Sequence, residues 1–216
     1  RGDSSSEYTW VIDPIDGTKG FLRGDQYAVA IGVLKAGKPW AGVLACPNLP
    51  IDPADPEGGR GLLFVAQRGK GALRASLDFS LEEPISVSEV SDPAGIRVLG
   101  SVESAHGDPA LLTALVEDLG LGGGIVRIDS QAKYGTVASA GAEIYLRPQS
   151  RPDYREKIWD HAAGVIVVQE AGGRVTDLAG NTLVFNQGER LEHNRGVLAT
   201  NGAVHDQVLE ALARLS

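Results

Sequence analysis

Near residue 95 the pattern of apolar runs changes, and that change constrains the fold more than any other feature. Before it, Tyr8–Ile12, Tyr27–Leu34, Pro39–Ala45 and Gly61–Gln67 are short β-prone runs. Lys35-Ala36-Gly37-Lys38 and Arg68-Gly69-Lys70-Gly71 read as the turns that follow them. After it, strands and helices alternate. Ile96–Ser101 reads as a strand, and Asp108-Pro109 opens a helix that Gly120 closes. Ile125–Ile128 and Glu143–Arg147 are strands around a helix that Ser130 can cap, and a helix runs from Asp160 through Ala171 to Gly172-Gly173. Strands Arg174–Asp177 and Gly196–Thr200 and a helix over Ala203–Leu215 follow. Such alternation implies a layered α/β arrangement. Residues 47–60, with Pro47, Pro50, Pro53, Pro56 and Gly58-Gly59, read as an irregular loop, and 75–95 as an acidic connection. A soft boundary near Pro93 divides the chain into 1–93 and 94–216.

Composition narrows the function. A hydrophobic content of 43% permits a buried core, and a net charge of −8 argues against a nucleic-acid partner, which needs a basic face. It leaves room for a small anionic substrate, because a bound cation can supply local positive charge. With Cys46 as the single cysteine, an intrachain disulfide and a cysteine-built zinc site are excluded. No apolar run of membrane-spanning length and no signal-peptide pattern is present. No membrane partner is expected, a cytoplasmic location is, and no oligomeric state follows from the sequence. The chain opens Arg1-Gly2-Asp3 and holds no methionine, so it is expected to be a piece of a longer, N-terminally truncated product.

The chemistry concentrates in Asp13-Pro14-Ile15-Asp16-Gly17-Thr18, directly after the first strand. A turn there can aim two carboxylates and the Ile15 carbonyl at one point, a donor set that suits a hard divalent cation. Carboxylates so close repel unless a cation or proton lies between them. The N–H groups of Gly17 and Thr18 can face an anion if a helical turn starts there. Against this, Asp-Pro and Asp-Gly are common turn dipeptides. Asp160 alone reads as a helix N-cap. Spacing alone leaves both readings open.

Two strings resemble the signatures of the inositol monophosphatase superfamily. One is Trp10–Thr18; the other is Trp159-Asp160-His161-Ala162-Ala163-Gly164, continued to Glu170-Ala171-Gly172-Gly173. The resemblance implies a layered αβαβα sandwich of the inositol monophosphatase and fructose-1,6-bisphosphatase type, here without its N-terminal helices. It implies Mg²⁺ held by Asp13, Asp16, Asp160 and the Ile15 carbonyl, and phosphate held by Gly17 and Thr18. Catalysis would rest on Asp16 and on the Thr18 hydroxyl, which orients the attacking water. In that family a segment before the first motif supplies a further metal-binding glutamate. Glu7 does not stand in a matching context.

Further strings are similar to the 3′(2′),5′-bisphosphate nucleotidases of that superfamily. They are Lys19–Gly24, Ser101-Val102-Glu103 ahead of His106, Asp129–Tyr134, Tyr145-Leu146-Arg147 and Glu156-Lys157-Ile158. The match implies that His106 packs against adenine and that Ser130, Lys133 and Arg147 contact the nucleotide and its phosphate. Taken singly, His106 reads as a loop histidine, Ser130 as a helix cap, and Lys133 and Arg147 as solvated cations. Lys157 is a weaker candidate that can instead pair with a nearby acid. The implied reaction is Mg²⁺-dependent hydrolysis of the 3′-phosphate of adenosine 3′,5′-bisphosphate, or of its sulfated relative, within sulfur assimilation and with lithium sensitivity. The alternatives are an inositol or sugar phosphate phosphatase of the same superfamily, or a non-catalytic nucleotide- or metal-binding fragment. A dinucleotide enzyme is disfavoured, because Gly120-Leu121-Gly122-Gly123-Gly124 follows a helix rather than a strand.

Overall fold

The computed structural model describes residues 6–102, 108–149, 151 and 153–215. Its first half is an antiparallel meander. Strands β1 (Tyr8–Asp16), β2 (Ala28–Lys35), β3 (Lys38–Pro50), β4 (Arg60–Gln67), β5 (Ala72–Ser76) and β6 (Glu82–Ile85) lie in sequence order in one six-stranded sheet, with helix α1 (Thr18–Arg23) between β1 and β2. The second half supplies β7 (Val98–Gly100), α2 (Pro109–Asp118), β8 (Ile125–Arg127), α3 (Ala132–Ala138), β9 (Ile144–Arg147), α4 (Ala162–Glu170), β10 (Arg174–Thr176), β11 (Val197–Thr200) and α5 (His205–Leu215). Its five-stranded sheet runs β10-β11-β9-β7-β8, parallel from β9 through β7 to β8 and antiparallel elsewhere.

Helices α3 and α4 lie between the two sheets, and α2 and α5 cover the far face of the second. The order sheet, helices, sheet, helices corresponds to the expected sandwich from its first sheet onward. Helix α4 is apolar all round, and Ala162 through Val168 are all buried, as a helix with no solvent face must be. Each of its larger aliphatic side chains contributes about 1.5–3 kcal/mol on burial. The sheet accepts it at short range because β2 and β3 present glycines there. A Cβ on Gly42 would stand 2.7 Å from the Ala163 carbonyl oxygen. By contrast α5 is amphipathic, burying His205, Val208, Ala211 and Leu212.

Several boundaries differ from expectation for identifiable reasons. Strand β3 continues through Pro47 to Pro50, because its pairing with β4 breaks register between Cys46 and Pro50 and so leaves the prolines no ladder bond to donate. The acidic stretch after Ala75 carries the end of β5 and all of β6, an exposed edge whose Glu83 pairs with Arg74. Strand β1 runs through Pro14 to Asp16, which an edge strand with a bulge tolerates. Helix α4 starts two residues after Asp160, which ends a short 3₁₀ turn over Ile158–Asp160.

Candidate active site

The bulge at the end of β1 creates the first half of the site. Asp13 is opposite Ala30 and Asp16 opposite Ala28, so one extra residue is accommodated between them and the strand turns. The Asp13 Oδ1 accepts the Ile15 N–H at 3.1 Å, and the Thr18 hydroxyl donates to the Ile15 carbonyl at 3.3 Å. Gly17 then reverses the chain into α1 at φ 82°, in the left-handed region. A Cβ at Gly17 would meet the Ser130 Cβ at 2.8 Å, so glycine is required by backbone conformation and by space together.

The second half comes from the turn before α3. Ser130 itself adopts φ 65°, and its Oγ accepts the Ala132 N–H at 3.2 Å. Ser130 is not the helix cap that its sequence position suggests: Gln131 holds the N-cap position of α3 without a side-chain cap bond, and the Ser130 bond closes the turn one residue earlier. The Gln131 N–H donates to Asp16 Oδ2. Buried Asp129 accepts from Arg23 Nη2 at 2.6 Å through Oδ2 and from the Val102 N–H at 3.2 Å through Oδ1. It thereby ties α1 to the β8–α3 turn and to the segment after β7.

The third part is the 3₁₀ turn ahead of α4. Asp160 is not the N-cap of α4. His161 occupies that position and makes no side-chain cap bond. The Asp160 carboxylate instead turns inward, and ligand oxygens of Asp13, Asp16 and Asp160 all lie within 4.8 Å of one another. Burial raises all three above the ordinary carboxylate range. Mutual repulsion adds to the rise, Asp160 acting on Asp13, Asp13 on Asp16, and Asp16 on Asp160. Three oxygen ligands under this repulsion, with the Ile15 carbonyl in the same turn, suit a hard divalent cation.

A second acidic group, Glu156, Asp160 and His161, has comparable spacing but already holds a cation of its own. Arg147 Nη2 lies 2.9 Å from Glu156 Oε2 and 3.3 Å from Asp160 Oδ2. Burial pushes Glu156 up, yet hydrogen bonds and charge from His161 and Arg147 hold it down at about 2. Ionised Glu156 can only accept, so His161 Nε2 donates to it at 3.2 Å, and His161 Nδ1 shares a 2.7 Å hydrogen bond with the Tyr134 hydroxyl.

Lys133 and Arg147 are therefore not solvated cations. Lys133 is buried, and its ammonium lies 5.4 Å above the Tyr145 ring. Burial, then the nearby Arg147, lower the Lys133 amine to about 8, while Asp16 and Asp129 oppose the shift. Lys157 sits 4.7 Å over the Trp159 ring, and Glu7 pairs with Lys35 at 3.2 Å. His106 lies outside the described residues.

The structure thus brings Asp13, Ile15, Asp16, Gly17, Thr18, Ser130, Lys133, Arg147 and Asp160 into one region. Sequence reasoning gave no role to Gln131, Asp129, Glu156, His161 or Tyr134. Each lies in or next to a string quoted for the resemblance, which is the one signal that could have found them. Among the described residues, no helix is long and apolar enough to cross a membrane.

The sequence model of the inositol monophosphatase family matches residues 1–216, and the chain belongs to that family. A 3′(2′),5′-bisphosphate nucleotidase of Oryza sativa is 49% identical over 209 residues, covering 94% of this chain and 58% of its own length. A 3′(2′),5′-bisphosphate nucleotidase of Emericella nidulans is 42% identical over 220 residues, covering 95% of this chain and 62% of its own. The solved inositol monophosphatase from Anabaena (Nostoc) sp. PCC 7120 superposes with a TM-score of 0.73 at 28% identity, over 99% of this chain and 74% of that one. The chain spans about three fifths of the length of the curated relatives it matches.

Proposed function

We propose that the protein hydrolyses the 3′-phosphate of adenosine 3′,5′-bisphosphate to AMP and phosphate, with Mg²⁺ as its cation. The observation that carries this reading is the convergence of the Asp13, Asp16 and Asp160 carboxylates beside a buried lysine, on a chain 49% identical to a 3′(2′),5′-bisphosphate nucleotidase. The all-oxygen donor set fits Mg²⁺. When bound, that ion supplies charge neutralisation and a more acidic water.

The residues of the chain divide the remaining work. Asp13, Asp16, Asp160 and the Ile15 carbonyl hold the cation. The first turn of α1 presents the Gly17 and Thr18 N–H groups to the reacting phosphate. The Thr18 hydroxyl, anchored on Ile15, orients the incoming water. Attack on phosphorus breaks the P–O bond to the ribose, and the 3′-hydroxyl leaves. Lys133, Ser130 and Arg147 line the side on which the second phosphate is held. With an amine near 8, Lys133 carries most of its charge at neutral pH and gains a partner when a phosphate dianion arrives. The protein acts on a small phosphorylated nucleotide in the cytoplasm.

A second reading, a phosphatase for inositol monophosphate, draws support from the similarity to the Anabaena structure. Phosphate release from adenosine 3′,5′-bisphosphate and from inositol 1-phosphate, each with Mg²⁺, with EDTA and with Asp16→Asn, separates the two. Turnover of the nucleotide that needs Mg²⁺ and Asp16 supports the first. Turnover of inositol 1-phosphate alone replaces it with the second, and turnover of neither leaves a binding protein.

A further inference from the structure

Gln131 belongs to none of the roles above, yet it touches both halves of the acidic cluster. Its main-chain N–H donates to Asp16 Oδ2, and its side-chain Nε2 donates to the Trp159 carbonyl at 3.0 Å. Trp159 directly precedes Asp160. One residue therefore spans two segments that lie 115 and 28 positions away in the chain. The turn that carries Asp160 is further held by the Ile158 N–H, which donates to the Glu189 carbonyl at 3.1 Å, and by the Arg147–Asp160 pair; Gln131 adds the link from this turn to Asp16.

The placement of Gln131 carries a cost. The residue is only 2% exposed, and its Oε1 has no hydrogen-bond partner among the described residues. A buried acceptor left unpaired opposes stability. The Nε2 bond to Trp159 fixes which end of the amide is oxygen, so a flip would only exchange the orphan for a clash of two acceptors. A residue chosen for stability here would be an apolar one of the same length.

From this we infer that Gln131 is a positioning residue that sets the separation of Asp16 and Asp160 for a divalent cation. The inference rests on the metal reading of the preceding section. It makes two measurements move in different directions. Gln131→Met keeps the length and volume of the side chain and removes both the clasp and the orphan acceptor. Groups that orient metal ligands typically change metal affinity by about 10- to 100-fold when lost.

The test is calorimetric titration of Mn²⁺ into the wild-type chain, Gln131→Met, Gln131→Asn and Asp16→Asn, with thermal unfolding of each in EDTA. Asparagine keeps the amide but is one methylene too short to reach Trp159. We expect the Mn²⁺ dissociation constant to rise at least tenfold in both Gln131 variants, with the metal-free melting temperature of Gln131→Met equal to or above wild type. Mn²⁺ binding by Gln131→Met at wild-type affinity overturns the inference and leaves the metal site intact. If Gln131→Met does not fold, wild-type affinity in Gln131→Asn overturns it instead. If the wild-type chain binds no Mn²⁺ and Asp16→Asn behaves identically, the metal reading falls first and the role of Gln131 falls with it.

Discussion

Arg147 places a guanidinium nitrogen 3.3 Å from the Asp160 carboxylate, the same carboxylate that turns toward Asp13 and Asp16. Asp160 is therefore shared between an internal cation and the three-aspartate cluster. Glu156, 2.9 Å away, anchors the guanidinium from the other side. Removal of Arg147 leaves two carboxylates in a largely buried setting with His161 as the remaining partner of Glu156. Arg147→Met is expected to lower stability by about 2–4 kcal/mol, the range for breaking a buried pair from one side, reduced here by partial exposure. Urea unfolding with and without Mn²⁺ measures it, and added Mn²⁺ should recover more stability in the variant than in wild type.

The three aspartates favour the proton in the folded state. Because Asp13 titrates above its ordinary value there, its contribution to stability is full below the unfolded carboxylate range and is lost as pH rises through the raised folded value. Asp13→Asn keeps an acceptor for the Ile15 N–H and removes the repulsion. In EDTA it should match wild type near pH 3.5 and exceed it in stability at pH 7. At pH 7 with Mn²⁺ the order should reverse, because the cation needs the ionised group. Thermal melts at the two pH values decide it.

Lys133 gives a pH signature on the alkaline side. Its folded amine near 8 lies below the unfolded value, so the charged form destabilises the fold below about 8 and the penalty disappears as pH rises toward the unfolded value. The same proton is needed to meet a substrate phosphate. The KM for adenosine 3′,5′-bisphosphate should therefore rise as pH passes 8 while kcat changes little. Lys133→Gln should raise KM about tenfold or more at pH 7, the loss of roughly one charge-assisted bond, and abolish that pH limb.

Gly17→Ala tests the turn between the two halves of the site. The left-handed conformation alone costs an L-residue about 1–2 kcal/mol, and the approach of Ser130 adds to it. A loss of about 2–4 kcal/mol in urea unfolding is expected, together with lost turnover. A variant of wild-type stability would show that Ser130 moves aside freely.

How much of this was legible in the sequence depends on how local the cause is. Asp108 caps α2 and donates nothing to the site, and its Asp-Pro signature was enough to place that helix, since the cap bonds reach only Ala110 and Leu111. The hairpin over Lys35–Lys38 was likewise fixed by its turn residues. By contrast, β6 hides in an acidic stretch because an exposed edge needs no apolar alternation. Asp160 reads locally as a cap and is instead an inward carboxylate, because a 3₁₀ turn bonded by Gln131 ends on it ahead of the helix start.

The sequence by itself determined the turn that presents Asp13 and Asp16, the first two members of the acidic cluster. Asp-Pro-Ile-Asp-Gly-Thr encodes a bulge, a left-handed glycine and a helix start, all of which depend on neighbours a few residues away. Only the tertiary structure decided that Asp160 meets Asp13 and Asp16, that Lys133 is buried, and that Arg147 is spent partly on Glu156. Those facts depend on α3 and α4 packing between two sheets, which brings together segments more than a hundred residues apart, and no local pattern records a distance of that kind.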